Sequence, residues 1–365
     1  MSDSEMGGGR AGRFAAAYQV AEEAIAARGV PGCAFGALAG GEVVLQGAAG
    51  HFTYEAESPF VRPETVFDLA SVSKVVATTA AAMLLTQRGR FDVDSRLGEV
   101  LPEFVAHRAK DDPAREITIR HLLSHASGLP GYVEFFRTAR DRDSLLRACF
   151  DLQLEAMPGT RAEYSDPGFI LLGKALEVCA GESLDSFAAR ELFAPLGLAS
   201  TCFHPAAADR AAIPPTEIDE RFRQRRIQGE VQDENAWVLG GVAGHAGLFS
   251  NVPDLLRFAK EILEGAAGRS ELFARETVEM FARRQAPAGS SRALGWDTPS
   301  EKSSAGRHFS PHSIGHLGYS GCSLWIDLEA AVAVALLTNR TWPDRGSQLI
   351  RQVRPAFHDA VREAL

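Results

Sequence analysis

The sequence predicts an α/β (α+β) fold: one antiparallel sheet built from both ends of the chain, flanked by terminal helices, with a mainly helical subdomain inserted. Three observations predict it. Strand-like runs lie near the start, at 32–39 and 42–48, and near the end, at 313–319, 322–327 and 331–338. Helical periodicity dominates between them, above all over 132–203. Helix-forming stretches, 14–28 and 346–365, open and close the chain.

Taken in order, residues 1–12 are polar and glycine-rich and read as a disordered N-terminus. Residues 13–365 read as a single domain, with an α/β part at 13–65 and 240–365 and a helical part at 66–239. Gly40 and Gly41 between the first two runs predict a β-hairpin with a glycine turn. Residues 67–89 predict a long buried helix, uncharged from Val75 to Gln87 and stopped at Gly89. Residues 117–125 predict a short helix capped by Thr118, and Pro167 and Gly181 bracket another, with Asp166 as its candidate cap. The charged stretch 204–236 reads as a lid or surface loop. Beyond the glycine-rich 237–250, Pro253 opens a helix capped by Ser250 or Asn251, and 283–312 reads as loop.

Composition narrows the function classes. With 365 residues, 45% hydrophobic and 23% charged, the chain can bury a large core and is neither fibrous nor disordered. A formal charge of −9 argues against nucleic-acid binding, and the one basic run, Arg221 to Arg226, reads as a solvated face. Without an apolar leader core or an uninterrupted apolar stretch of about 20 residues, the expectation is a soluble, cytoplasmic protein with no membrane span. Five scattered cysteines without a C-x-x-C pair read as reduced, mostly buried thiols.

Chemistry concentrates at the start of the central helix. Ser71 sits where unpaired N–H groups favour a developing oxyanion, and Lys74, three residues on, shares its face. That is the geometry a serine needs if a lysine is to take its proton, and the spacing is the S-x-x-K signature of serine acyl transfer. Tyr164 hangs just before the helix that follows Pro167, on a turn able to aim its hydroxyl elsewhere. His121 and His125 are four apart but lack the glutamate of H-E-x-x-H, and His245 between glycines reads as loop packing.

With Ser71-Val72-Ser73-Lys74, Tyr164-Ser165-Asp166 and His316-Leu317-Gly318 in this order, the chain resembles the serine β-lactamase and penicillin-binding-protein superfamily. It is most similar to the class C β-lactamase-related branch of esterases and D-amino-acid peptidases. ITIRHLLSHASGLP, LFAPLGL, GVAGHAGLFS and LGWD extend the likeness over nearly the whole chain. The resemblance implies a β-lactamase/transpeptidase-like fold and a serine hydrolase acting through an acyl-enzyme on Ser71, a carboxylesterase or an amidase or D-peptidase-like hydrolase; the alternatives are a β-lactamase or D-alanyl-D-alanine carboxypeptidase and, from another class, a non-catalytic penicillin-binding sensor module. Lys74 and Tyr164 would manage the proton, and the N–H groups of Ser71 and Tyr319, after Gly318, would hold the oxyanion. No cofactor or metal is expected, and the partner is a small-molecule ester, amide or peptide; the oligomeric state stays open. Many relatives carry Asn at Asp166, Lys at His316 and Thr at Leu317, which implies weak or no β-lactamase activity. Asp166, if it faces the site, would pair with Lys74 and leave Tyr164 as the base. His316 would be the cation that meets a substrate carboxylate, gaining charge below about pH 7.

Overall fold

The computed structural model describes residues 12–365, so the expected disordered stretch lies outside the described residues but for Gly12. Helix α1 (Ala15–Ala26) leads into strands β1 (Gly32–Ala39) and β2 (Glu42–Gly50), turned by Gly40 and Gly41 at φ of 59° and 84°. After a short strand β3 (Phe67–Asp68) come α2 (Ala80–Gln87) and, deeper in the helical part, α3 (Asp166–Ala180). A small hairpin of β4 (Glu217–Asp219) and β5 (Arg225–Ile227) follows, then β6 (Phe249–Ser250) and α4 (Val252–Ala266). Strands β7 (Ser313–Leu317), β8 (Ser323–Asp327) and β9 (Val332–Thr338) and helix α5 (Ile350–Glu363) complete the chain.

The main sheet runs β2-β1-β9-β8-β7, antiparallel at every pairing, so the N-terminal hairpin joins the C-terminal meander through β1 and β9. Both central strands are buried on both faces, which explains their continuous apolar sequences. Alternation sorts the side chains. Cys33, Phe35, Val334 and Leu336 face Phe14, Ala17, Phe357 and Val361 of the terminal helices, whereas Ala34, Leu38, Ala335 and Leu337 join the large core shared with α4 and the helical part. Gly36 lets α4 close in, since a Cβ there would lie 2.6 Å from Val252 Cγ1.

Three expectations need correction. Residues 67–89 are not one helix: Asp68 ends a strand, Ala70–Val72 form a 3₁₀ turn, Lys74–Thr79 a π turn, and only then does α2 begin. The Asp68 carboxylate draws the Ala70 N–H (2.8 Å) out of helical pairing, and Ala70 takes φ 46°. Ser165, not Asp166, caps α3, its Oγ accepting the Gly168 N–H at 3.1 Å. The 204–236 stretch is more ordered than a surface loop. Arg223 of the basic run is buried against Asp219 at 2.8 Å instead of lying on a solvated face. Among the described residues no helix is long and apolar enough to cross a membrane.

Candidate active site

Three parts of the chain meet at Ser71. The 3₁₀ turn presents its hydroxyl, the π turn brings Lys74 beneath it, and the segment before α3 supplies Tyr164. Tyr164 Oη donates to Ser71 Oγ at 2.7 Å and Lys74 Nζ donates to the same oxygen at 3.0 Å. Lys74 is fully buried, and its other two donors reach Asp166 Oδ1 (2.7 Å) and the His245 carbonyl (2.9 Å). Because Ser165 does the capping, the Asp166 carboxylate is released to face the site. All three ammonium hydrogens thus have an acceptor.

The electrostatics follow from this packing. Burial pulls the Lys74 pKa down, but the Asp166 carboxylate and the Tyr164 phenol beside it outweigh burial and leave it raised. Burial, with the Asp166 charge, pushes Tyr164 up to about 12 despite Lys74 and Ser71 acting the other way. The expected Lys74–Asp166 pairing is therefore present, with the lysine charged at neutral pH. His125 stacks on Tyr164 at 4.6 Å between centroids, and its Nδ1 accepts the Ser165 N–H at 3.0 Å, fixing the tyrosine's turn.

His316 does not serve as the expected cation. It is buried, its Nδ1 donates to the Leu317 carbonyl at 2.8 Å, and Nε2 is left as an unpartnered acceptor. Burial first, then the charges of Lys74 and Arg292, hold it well below the usual histidine range, so it is a neutral imidazole.

The turn after β7 is tightly tethered. Gly318 lies so close to the Ser71 turn that a Cβ would sit 2.3 Å from the Leu69 carbonyl oxygen. Arg354, buried on α5, donates to the carbonyls of Gly318, Gly321 and Cys322, while Arg340 Nε takes that of Tyr319 at 2.8 Å. With these carbonyls drawn away, the Tyr319 N–H makes no hydrogen bond among the described residues. An oxyanion hole needs such an unspent donor.

Sequence reasoning missed several contributors. Asp68 accepts from Ala70 and from Gln232 N–H (2.7 Å), tying the Ser71 turn to the 204–236 stretch; burial raises its pKa to about 6. The glycine-rich segment wraps the π turn: Thr78 Oγ1 donates to the Gly244 carbonyl at 2.7 Å and Leu248 N–H to Ser73 Oγ at 3.0 Å. Gly244 is required there, since a Cβ would lie 2.1 Å from the Phe169 carbonyl oxygen. His245 is no mere loop filler: besides its carbonyl on Lys74, its Nε2 donates to Asp233 at 2.9 Å. Only the glycines signalled this close approach. His121 stays apart as a partner of Thr118 at its helix start.

Ser71, Tyr164, Asp166, His316, Leu317, Gly318 and Tyr319 line one cleft of about 780 Å³. A serine hydroxyl held by a lysine and a tyrosine on this α+β scaffold defines a class, the serine hydrolases of the acyl-transfer type. The Beta-lactamase family profile matches residues 18–356, and the chain belongs to that family. It is 32% identical over 358 residues to an N-acetylmuramyl-L-alanine amidase of Bacillus subtilis (strain 168), covering 88% of this chain and 80% of that one. It is 30% identical over 336 residues to a putative D-alanyl-D-alanine carboxypeptidase of Salmonella agona (strain SL483), covering 82% and 76%. Among solved structures, EstCE1, a hydrolase with promiscuous acyltransferase activity, superposes with a TM-score of 0.76 at 24% identity over 95% of this chain and 98% of that one. At that identity the likeness bears on the fold alone.

Proposed function

We propose that this serine hydrolase is an amidase that cleaves the amide joining an acyl group to an amino acid, through an acyl-enzyme on Ser71. The observation that carries it is the Ser71 Oγ held at once by Lys74 Nζ at 3.0 Å and Tyr164 Oη at 2.7 Å. Substrate class is supported by the two relatives named above, whose names both specify a bond to alanine.

In the productive form Tyr164 is the phenolate, and charged Lys74 offsets it. Ser71 Oγ attacks the amide carbonyl carbon as its proton passes to Tyr164. The carbonyl oxygen becomes the oxyanion, received by the N–H groups of Ser71 and Tyr319. Collapse breaks the C–N bond, Tyr164 returns the proton to the departing amine, and an ester on Ser71 remains. Water then attacks that ester, giving its proton to Tyr164, and Tyr164 returns the proton to Ser71 Oγ as the C–Oγ bond breaks and the carboxylic acid leaves. Asp166 keeps Lys74 charged, which makes the tyrosine rather than the lysine the base.

Intact-mass and turnover measurements with a fluorophosphonate, an aryl acetate, a penicillin and N-acetylmuramyl-L-alanine test this. The expected result is one phosphonate adduct, lost in Ser71→Ala, with the muramyl amide turned over and the penicillin processed poorly. Undiminished labelling of Ser71→Ala, or a penicillin preferred to the amide, refutes the reading.

A further inference from the structure

One shielded cation at the cleft has only a distant carboxylate for a partner. Arg292 belongs to a turn closed by the Ala293 N–H on the Trp296 carbonyl (2.9 Å) and by the Arg292 carbonyl, which accepts from Gln285 N–H (2.8 Å). Gly295 N–H donates to Leu123 O at 2.8 Å, and Asp297 pairs with Gly315 of β7 in both directions at 2.8 and 2.9 Å. The turn is thereby fixed to the strand that carries His316. Its position is further set by Gly295, at φ 83°, packed directly against Thr79.

From this turn the guanidinium lines the same cleft as Ser71 and lies 5.5 Å from the Tyr164 ring centroid. Its side chain is 23% exposed and makes no hydrogen bond among the described residues. The Asp297 carboxylate is 3.7 Å away, too far for a hydrogen bond, and its Oδ1 already accepts from Ser291 Oγ (2.7 Å) and Thr298 N–H (3.1 Å). Of the other arginines lining the cleft, Arg340, Arg345 and Arg354 spend their donors on carbonyls and carboxylates of the protein, whereas Arg221 and Arg351 are exposed to solvent. A shielded guanidinium with free N–H groups presents the fork that a carboxylate fits.

We propose that Arg292 receives the carboxylate of the amino acid released by the amidase, so that the enzyme prefers amides whose leaving amine bears a free acid. The inference rests on the reading of Ser71 as nucleophile and Tyr164 as proton donor to the leaving nitrogen. An anion beside Tyr164 then lies on the leaving-group side of the scissile bond. The neutral His316 nearby offers Nε2 as an acceptor, a role complementary to Arg292 and one that an added cation would not perform.

The test compares three substrates of wild type, Arg292→Met and Arg292→Lys: an N-acyl-alanine, the matching N-acyl-alaninamide, and an aryl acetate. Arg292→Met should lower the acid-to-amide ratio of kcat/KM by about 10- to 100-fold, mainly through KM, with Arg292→Lys recovering part of it. Equal losses on acid and alaninamide would mark a merely structural arginine and overturn the proposal. A wild type that hydrolyses the ester through Ser71 yet treats acid and alaninamide alike overturns the anion seat and leaves the nucleophile standing. Ester hydrolysis that survives in Ser71→Ala overturns both.

Discussion

Replacing Asp166 by asparagine removes one charge from a buried pair while keeping size and an acceptor oxygen. Nζ and Oδ1 are 2.7 Å apart, with the two side chains 0% and 15% exposed. At an effective dielectric of about 20, that separation corresponds to roughly 6 kcal/mol of Coulomb attraction. We therefore expect the Lys74 pKa in Asp166→Asn to drop from a raised value to below that of a free lysine, because burial is then unopposed by the carboxylate. Two readouts follow. A neutral Lys74 keeps two hydrogens for the introduced amide oxygen and the His245 carbonyl and turns its lone pair to Ser71, so it becomes the base. The rise of kcat/KM with pH for an aryl acetate, which follows deprotonation of the base, should then shift to lower pH within the range of about 6 to 10. The stability sign also reverses. In wild type the raised lysine stabilises the fold below the unfolded lysine value of about 10.4, and this is lost as pH rises through the folded value. In the variant the depressed lysine destabilises the fold at pH 7, and the penalty shrinks as pH rises toward 10. Superimposable pH–rate profiles, with urea midpoints that differ by the same amount at pH 7 and 9, would refute the reasoning.

Three further outcomes are expected. Lys74→Met and Tyr164→Phe should each lower kcat by about 10²- to 10⁴-fold and the double variant by far less than the product; fully multiplicative losses would show two independent groups. Gly318→Ala places a Cβ 2.3 Å from the Leu69 carbonyl oxygen, so the oxyanion turn must retreat from Ser71. Acylation by the aryl acetate should then slow by about 10²-fold or more with the fold retained by circular dichroism. Finally, burial holds His125 and His316 well below the usual histidine range and His358 at about 4, so the unfolded chain binds protons that the native one refuses. Stability should be full above about pH 6.5 and fall by about 2 kcal/mol per histidine on going to pH 5, read by urea unfolding. For the same reason a His316→Asn variant should keep the wild-type pH dependence between pH 8 and 6, contrary to the expectation of a titrating cation.

The sequence by itself determined the sheet built from both chain ends, because central strands buried on both faces must be continuously apolar, as 32–39 and 331–338 are. It determined the hairpin at Gly40-Gly41, the stops at Gly89 and Gly181 and the meeting of Ser71 with Lys74, since turns, caps and three-residue spacings are local matters. It also pointed to Tyr164 and the Gly318 turn, through motifs rather than spacing. What it left open was decided by partners far along the chain. The broken helix at 67–79 depends on Asp68 bonding both Ala70 and Gln232, 164 residues away. Asp166 was free to face Lys74 only because Ser165 took the cap, a choice between neighbours that the Pro167 signal does not make. His316 lost its charge because burial and the nearby Lys74 and Arg292 penalise the protonated ring, and neither depth nor neighbours can be read from a residue's type. Arg292 carried no motif at all; it is one of many arginines along the chain until the pairing of Asp297 with Gly315 sets it beside Tyr164. Local chemistry is written in short stretches of sequence, whereas charge state and proximity belong to the packed molecule, because solvation and Coulomb interaction depend on distance in space.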